Sequence, residues 1–96
     1  MKKEQLEIVI HTRTQFADKC ICDDLFISYL MMHTCITDRQ KIVLQGISEI
    51  TSRNDRLIDI MKRRSIRDFN KMLTCLRETN QLHVEALLSK EGGKKY

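Results

Sequence analysis

Proline and tryptophan are absent from this chain, and glycine occurs only at Gly46, Gly92 and Gly93. Sandwiches and barrels of β-strands need many tight turns, in which proline and glycine are abundant. Their scarcity disfavours both architectures and indicates helices. Hydrophobic residues make up 42% of the sequence and charged residues 31%, which is the balance of a folded domain and not of a disordered tail.

Long apolar runs are also lacking. No run approaches the roughly 20 residues of a membrane span, and residues 1–13 lack the sustained apolar core of a signal peptide. We therefore expect a cytoplasmic protein that makes no membrane contact. A length of 96 residues leaves room for one domain. We place that domain at 1–90 and predict a flexible basic tail at 91–96.

Helix start signals recur along the chain. A serine or threonine followed three residues later by Gln, Glu or Asp satisfies free N–H groups in the first helical turn. The full pattern occurs at 37–40, and versions ending in aspartate occur at 52–55 and 65–68. Asn80 tolerates left-handed backbone and is a suitable residue to end a helix.

Apolar residues between these signals recur at helical spacing. The helices are too short to be stable alone, so they must share one core. The predicted fold class is all-α, a compact antiparallel six-helix bundle. Its predicted helices are 3–19, 23–33, 38–45, 53–63, 66–78 and 81–89. The expected core positions include Leu6, Val9, Ile10, Phe16, Leu25, Phe26, Leu30, Met32, Ile42, Val43, Leu57, Ile58, Met61, Phe69, Met72, Leu76, Val84 and Leu88.

The segment 57–76 carries a more specific pattern. Leu57-Ile58 precedes a basic run, which is followed by Phe69, Met72-Leu73 and Leu76. This pattern resembles the helix 4 to helix 5 signature of the caspase recruitment domain, a branch of the death-fold superfamily. Further matches are Leu87-Leu88 in helix 6, Ile36-Thr37 at the corner between helices 2 and 3, and Arg13 in helix 1. Ser65 and Asn80 stand where the family usually has glycine.

The resemblance implies a Greek-key-like death fold that binds homotypically and is not an enzyme. The implied partner is another protein with a caspase recruitment domain, such as an initiator caspase or an adaptor in apoptotic or inflammatory signalling, and self-association is also implied. In this family a basic surface on helices 1 and 4 docks onto an acidic surface on helices 2 and 3. The corresponding basic residues here are Arg13, Arg53 and Arg56, and the acidic residues are Asp23, Asp24 and Asp38.

Ordinary solvated charge is the alternative for each of these residues, because acids favour helix N-termini and arginines are common on surfaces. Residues 1–48 hold six basic and six acidic side chains, whereas residues 49–96 hold eleven and seven. The whole net charge of +4 therefore lies in the second half. A second basic face is predicted there, consisting of Lys62, Arg63, Arg64 and Arg67.

Two other classes of function remain open. The basic run suits phosphates, so a small helical nucleic-acid binder is one alternative, although dedicated readers often add aromatic residues for stacking. Cys20-x-Cys22 and His33-x-Cys35 suggest a metal- or redox-responsive module, but structural zinc sites usually place two to four residues between paired cysteines. Packing as small hydrophobic residues is the favoured role of the cysteines. Phosphate-loop, GxSxG and HExxH motifs are absent, so we predict no catalytic residues, metal or cofactor.

Overall fold

The computed structural model describes the backbone of residues 3–93 and the side chains of residues 6–88. This range contains six helices and no strand, which confirms the predicted all-α class and a compact six-helix arrangement. Within the same range, no helix combines the length and the apolar character needed to cross a bilayer. The helices are α1 (Lys3–Lys19), α2 (Asp24–Met32), α3 (Asp38–Gln45), α4 (Ile50–Lys62), α5 (Ile66–Glu78) and α6 (Leu82–Gly93).

Two of the predicted helix starts are confirmed. Thr37 and Gln40 form a complete capping box at α3, with each side chain accepting a hydrogen bond from the backbone N–H of the other residue. Ser65 caps α5 by accepting from the N–H of Asp68 at 3.2 Å. Asn80 has the expected left-handed backbone, with φ of 66°.

Two helix ends differ from the prediction. The expected start at Ser52 is wrong, because α4 begins at Ile50 and Ser52 lies inside its first turn. Glu49 takes the cap position with extended backbone, but its carboxylate accepts from the Ser52 hydroxyl and not from a backbone N–H of the first turn, so the usual capping pattern is absent from the sequence. At the other end of the chain, α6 continues through Gly93, so residues 91–93 of the predicted tail are helical. Residues 94–96 lie outside the described residues.

The core confirms most of the apolar pattern but not all of it. Fully buried side chains come from every helix and include Phe16, Phe26, Leu44, Leu57, Met72 and Leu88. Four expected core residues are instead exposed, namely Ile10, Leu25, Met32 and Ile42. In α2 the buried residues are Phe26, Ile27 and Leu30. Since this helix is apolar around most of its circumference, periodicity alone did not identify its buried face.

Helix α4 is held against its neighbours by polar contacts as well as by packing. It lies against α1 and α3, while α5 contacts α2 and α6, and α6 also contacts α1. The buried Asn54 of α4 donates from Nδ2 to the carbonyl oxygens of Ala17 at 2.9 Å and Cys20 at 2.8 Å. These carbonyls lie at the C-terminal end of α1, where no further helical turn supplies N–H donors to them. The contact therefore fixes the register between α1 and α4, and with it the surface that α4 presents.

Candidate functional site

An open groove of about 730 Å³ lies along the outer side of α4. It is formed by the start of α1, by α3, by α4 and by the corner between α4 and α5. Four of its lining side chains are cationic and one is a carboxylate. We call it the α4 groove, and its lining residues are Leu6, Gln40, Val43, Arg56, Asp59, Ile60, Lys62, Arg63 and Arg64.

The spacing of residues along α4 explains this surface. Arg56, Ile60 and Arg63 are separated by four and three residues, so they lie on one side of the helix. Leu57 and Met61 point into the core and are fully buried. At a rise of 1.5 Å per residue, Arg56 and Arg63 are offset by about 10 Å along the helix axis. The groove thus has a cation near each end and an apolar stretch between them.

Three groove cations are not neutralised by the protein itself. Among the described residues, neither an ion pair nor a hydrogen bond reaches the side chain of Arg56, Lys62 or Arg63. Arg56 and Arg63 are exposed, and Lys62 is half-buried. In contrast, the Arg64 guanidinium donates to Asp68 at 2.9 Å and to the carbonyl of Thr34 at 3.0 Å. Because these cations are close together and solvent-accessible, the groove is suited to an anionic surface.

Arg13 is bound within the chain. Its guanidinium donates to Asp55 and Asp59, both at 2.9 Å, and therefore bridges α1 to successive turns of α4. Burial lowers the pKa of Arg13, but the hydrogen bonds to the two carboxylates outweigh this effect, so the pKa is raised. The Asp59 carboxylate on the edge of the groove is neutralised by the same contact. Arg13 therefore shapes the charge of the groove without itself being a free cation.

Replacing Arg13 by alanine is expected to lower the free energy of unfolding by about 1 kcal/mol, because both ion pairs are partly solvated. It also leaves Asp55 and Asp59 uncompensated beside the groove, so anion binding is expected to weaken slightly. Urea unfolding measures the first effect. Replacing Thr14, an exposed neighbour on α1, by alanine is the control. A stability equal to that of the control would show that the bridge contributes nothing.

Arg53 is also engaged within the chain. Its Nε donates to the carbonyl of Ile47 at 2.9 Å, and its Nη1 donates to the carbonyl of Cys22 at 2.6 Å. These acceptors lie in the connections that precede α4 and α2, so Arg53 links two loops to α4. Of the three residues predicted for the basic face, only Arg56 is exposed and unpaired among the described residues.

The predicted acidic residues occupy two separate places. Asp23 caps α2 by accepting from the N–H of Phe26 at 3.0 Å, and Asp24 is exposed in the first turn. Asp38 is exposed in the first turn of α3, which follows the opposite end of α2. A nine-residue helix is about 13 Å long, so one helix length separates the two groups. Their roles in binding remain predictions.

The predicted second basic face divides in the same way. Lys62 and Arg63 join Arg56 in the α4 groove, whereas Arg64 is tied to Asp68. Arg67 is exposed on α5 but does not line the groove. From the sequence, Arg56 and Arg63 were predicted to lie on different faces. Arg63 is the C-cap of α4, seven residues after Arg56, and this separation of two helical turns was the signal that would have placed both on one face.

The cysteines are buried in the core and do not form the cluster that their spacing suggested. All four side chains are buried, and no group of three or more His, Cys, Asp or Glu residues among the described side chains is arranged to hold a metal. Burial raises the pKa of Cys22 to about 12, although the nearby Arg53 acts in the opposite direction. The thiol of Cys35 donates to the carbonyl of Asp68 at 3.8 Å, and the neighbouring thiol of Cys75 on α5 lowers the pKa of Cys35, while Cys35 raises that of Cys75.

The α4 groove is therefore the main candidate site: an open cationic surface along α4, with apolar side chains between its charges. Such a surface can bind and orient an acidic partner. The chain matches no protein-family model, no curated protein and no solved structure to a significant degree.

Proposed function

We propose that this chain is a non-enzymatic interaction domain of the caspase recruitment type. In this proposal it binds a second such domain, carried by an initiator caspase or an adaptor in the cytoplasm, and brings signalling proteins together in apoptosis or inflammation. The observation that carries the proposal is the set of cations in the α4 groove without an ion pair among the described residues: the exposed Arg56 and Arg63 and the half-buried Lys62. Such a set needs an acidic counterpart, and the resembled family supplies one on helices 2 and 3.

The chain also carries carboxylates suited to the complementary role. Asp24 and Asp38 are exposed at the starts of α2 and α3. A copy that offers its α4 groove to these carboxylates of the next copy makes a heterologous contact, which repeats unless it closes into a ring. Self-association is therefore part of the proposal. Since the contact is between solvated charges, it should form quickly and weaken as salt is added.

A nucleic-acid partner is disfavoured by the lining of the groove. Proteins that bind single strands usually stack bases on exposed aromatic side chains. The described lining contains no aromatic residue, and Phe16, Phe26 and Phe69 are buried in the core. The apolar part of the groove consists of Leu6, Val43 and Ile60, which favours contact with another protein surface.

The test is a pull-down from cytosolic extract on the immobilised chain, with mass spectrometry of the retained proteins. It is run at low and high salt, with and without nuclease, beside a bait carrying Arg56→Glu and Arg63→Glu. Recovery of a protein with a caspase recruitment domain, lost at high salt and with the variant bait but unaffected by nuclease, is the expected result. Recovery that disappears with nuclease would replace this proposal by nucleic-acid binding.

A further inference from the structure

The corner between α4 and α5 contains a serine that directly follows three cationic residues. Ser65 is exposed and lies between the last residue of α4 and the first residue of α5. Its Oγ accepts a hydrogen bond from the N–H of Asp68 at 3.2 Å, so the hydroxyl is held at the start of α5. The three residues directly before it are Lys62, Arg63 and Arg64. The mechanism of binding proposed above uses the cations but not the hydroxyl.

We propose that Ser65 is a phosphorylation site for an arginine-directed serine kinase, and that its phosphate offsets the positive charge of the α4 groove. In the reaction Oγ attacks the γ-phosphorus of ATP, the bond from that phosphorus to the β-phosphate oxygen breaks, and ADP leaves. The hydroxyl proton passes to the catalytic base of the kinase. The effect of the phosphate on partner binding rests on the proposed function, whereas the modification itself does not.

The flanking residues match what such kinases recognise. Their acidic substrate grooves select cations at the two or three positions before the acceptor, by charge complementarity. Lys62 and Arg63 occupy these positions, and neither forms an ion pair with another described residue. Ile66, the apolar residue directly after the acceptor, is partly buried against the core, so the cations carry the recognition. Residues 63–65 lie outside the helices, so the corner is open to an enzyme.

The fold is able to accept a phosphate here. A phosphate at the cap of α5 lies at the positive end of the helix dipole, where added negative charge stabilises the helix. Arg64 and the exposed Arg67 are on either side of Ser65 in the chain and can donate to it. The opposing charge is the Asp68 carboxylate, which Arg64 already binds at 2.9 Å. The helical structure should therefore persist while the local field changes.

The negative charge of this phosphate would lie next to the cations of the candidate site. Ser65 follows Arg63 and Arg64, both of which line the α4 groove. A phosphate brings a charge of roughly −1.5 to −2 at neutral pH, which offsets about half or more of the charge of Arg56, Lys62 and Arg63. The affinity of the groove for an acidic surface should fall about tenfold.

A second capping hydroxyl in the same chain provides an internal control. Thr37 is exposed and caps α3 with the same side-chain geometry as Ser65 at α5. The residues before Thr37 are Thr34, Cys35 and Ile36, which carry no charge. The two sites thus share a cap and differ in their flanking cations, although one acceptor is threonine and the other serine. Flanking charge is therefore expected to direct the kinase to Ser65.

The modification is tested on the folded full chain with Mg-ATP and the catalytic subunit of cyclic-AMP-dependent protein kinase. We expect one phosphate, mapped to Ser65 by peptide mass spectrometry. It should be absent from Ser65→Asn, which keeps the cap without the hydroxyl, and should form about tenfold more slowly in the double variant Lys62→Gln, Arg63→Gln. Phosphate mapped chiefly to Thr37, or found at Ser65 only in urea-unfolded chain, would overturn the assignment.

The effect on the groove is tested separately with a decaglutamate peptide as the anionic probe. The phosphorylated chain should bind it about tenfold more weakly than the unmodified chain at low salt. Equal binding by the two forms would overturn the role of the phosphate in offsetting the groove charge. Neither measurement uses a caspase recruitment domain as partner. A failure of the proposed function would therefore leave both results interpretable.

Discussion

Replacing Arg56 and Arg63 together by glutamate is expected to abolish binding of an acidic partner domain, with a loss of affinity of roughly 100-fold or more at physiological salt. Both side chains are exposed and unpaired among the described residues, so their reversal changes the surface field without breaking an internal contact. Reversal adds repulsion to the loss of attraction, which makes the effect larger than that of alanine. Lys62, between them in the groove, cannot compensate for two new negative charges.

The matched control is Lys19→Glu. Lys19 is an exposed cation at the end of α1 opposite to the groove residue Leu6, about 20 Å away along the helix at 1.5 Å per residue. Binding is measured by titration at low and high salt, and helicity by circular dichroism. Unchanged affinity in the double variant, or an equal loss in the control, would contradict the assignment of the groove as the docking surface.

Replacing Asn54 by aspartate is expected to lower the free energy of unfolding by about 4 kcal/mol or more, which is a large fraction of the stability of a small domain. The Nδ2 group donates two hydrogen bonds, to the carbonyls of Ala17 and Cys20, from a fully buried position. Aspartate has almost the same shape but presents a carboxylate oxygen to two carbonyl oxygens. Since the Oδ1 atom of Asn54 has no hydrogen-bond partner, the substitution breaks no accepted bond there; it removes the two donors and adds a buried carboxylate.

The comparison variant is Asn54→Ala, which removes the donors without adding a charge and should cost about 2–4 kcal/mol. Burial raises the pKa of the introduced carboxyl above its unfolded value, so the folded aspartate variant holds its proton to higher pH. Its extra destabilisation relative to alanine should therefore be small near pH 4 and should grow as pH rises. Urea unfolding of both variants from pH 4 to 8 measures this difference. An aspartate variant that is as stable as the alanine variant at pH 8 would show that the site is solvated.

Local chemistry explains why the helices could be predicted from the sequence. The capping box at Thr37 and the cap at Ser65 each join residues three positions apart, so both partners of each contact can be identified from a short stretch of sequence. The left-handed Asn80 is a similar local signal. Where the cap residue accepts no bond from a backbone N–H of the helix, as at Glu49, the predicted start was wrong by one turn. The exposed Leu25 and Met32 of α2 show a second limit of prediction from sequence. When a helix is apolar on most sides, the sequence does not indicate which side faces the core.

The sequence by itself determined the all-helical class, most helix bounds and the concentration of positive charge in the second half of the chain. These properties depend on contacts within a few residues or on composition alone. Only the tertiary structure decided which arginines are available to a partner. Arg13 is bound to carboxylates 42 and 46 residues away, and Arg53 to a carbonyl 31 residues away, whereas Arg56 is left exposed. The packing of α1 and α3 against α4 makes that distinction, because it brings acceptors to some cations and leaves others facing solvent.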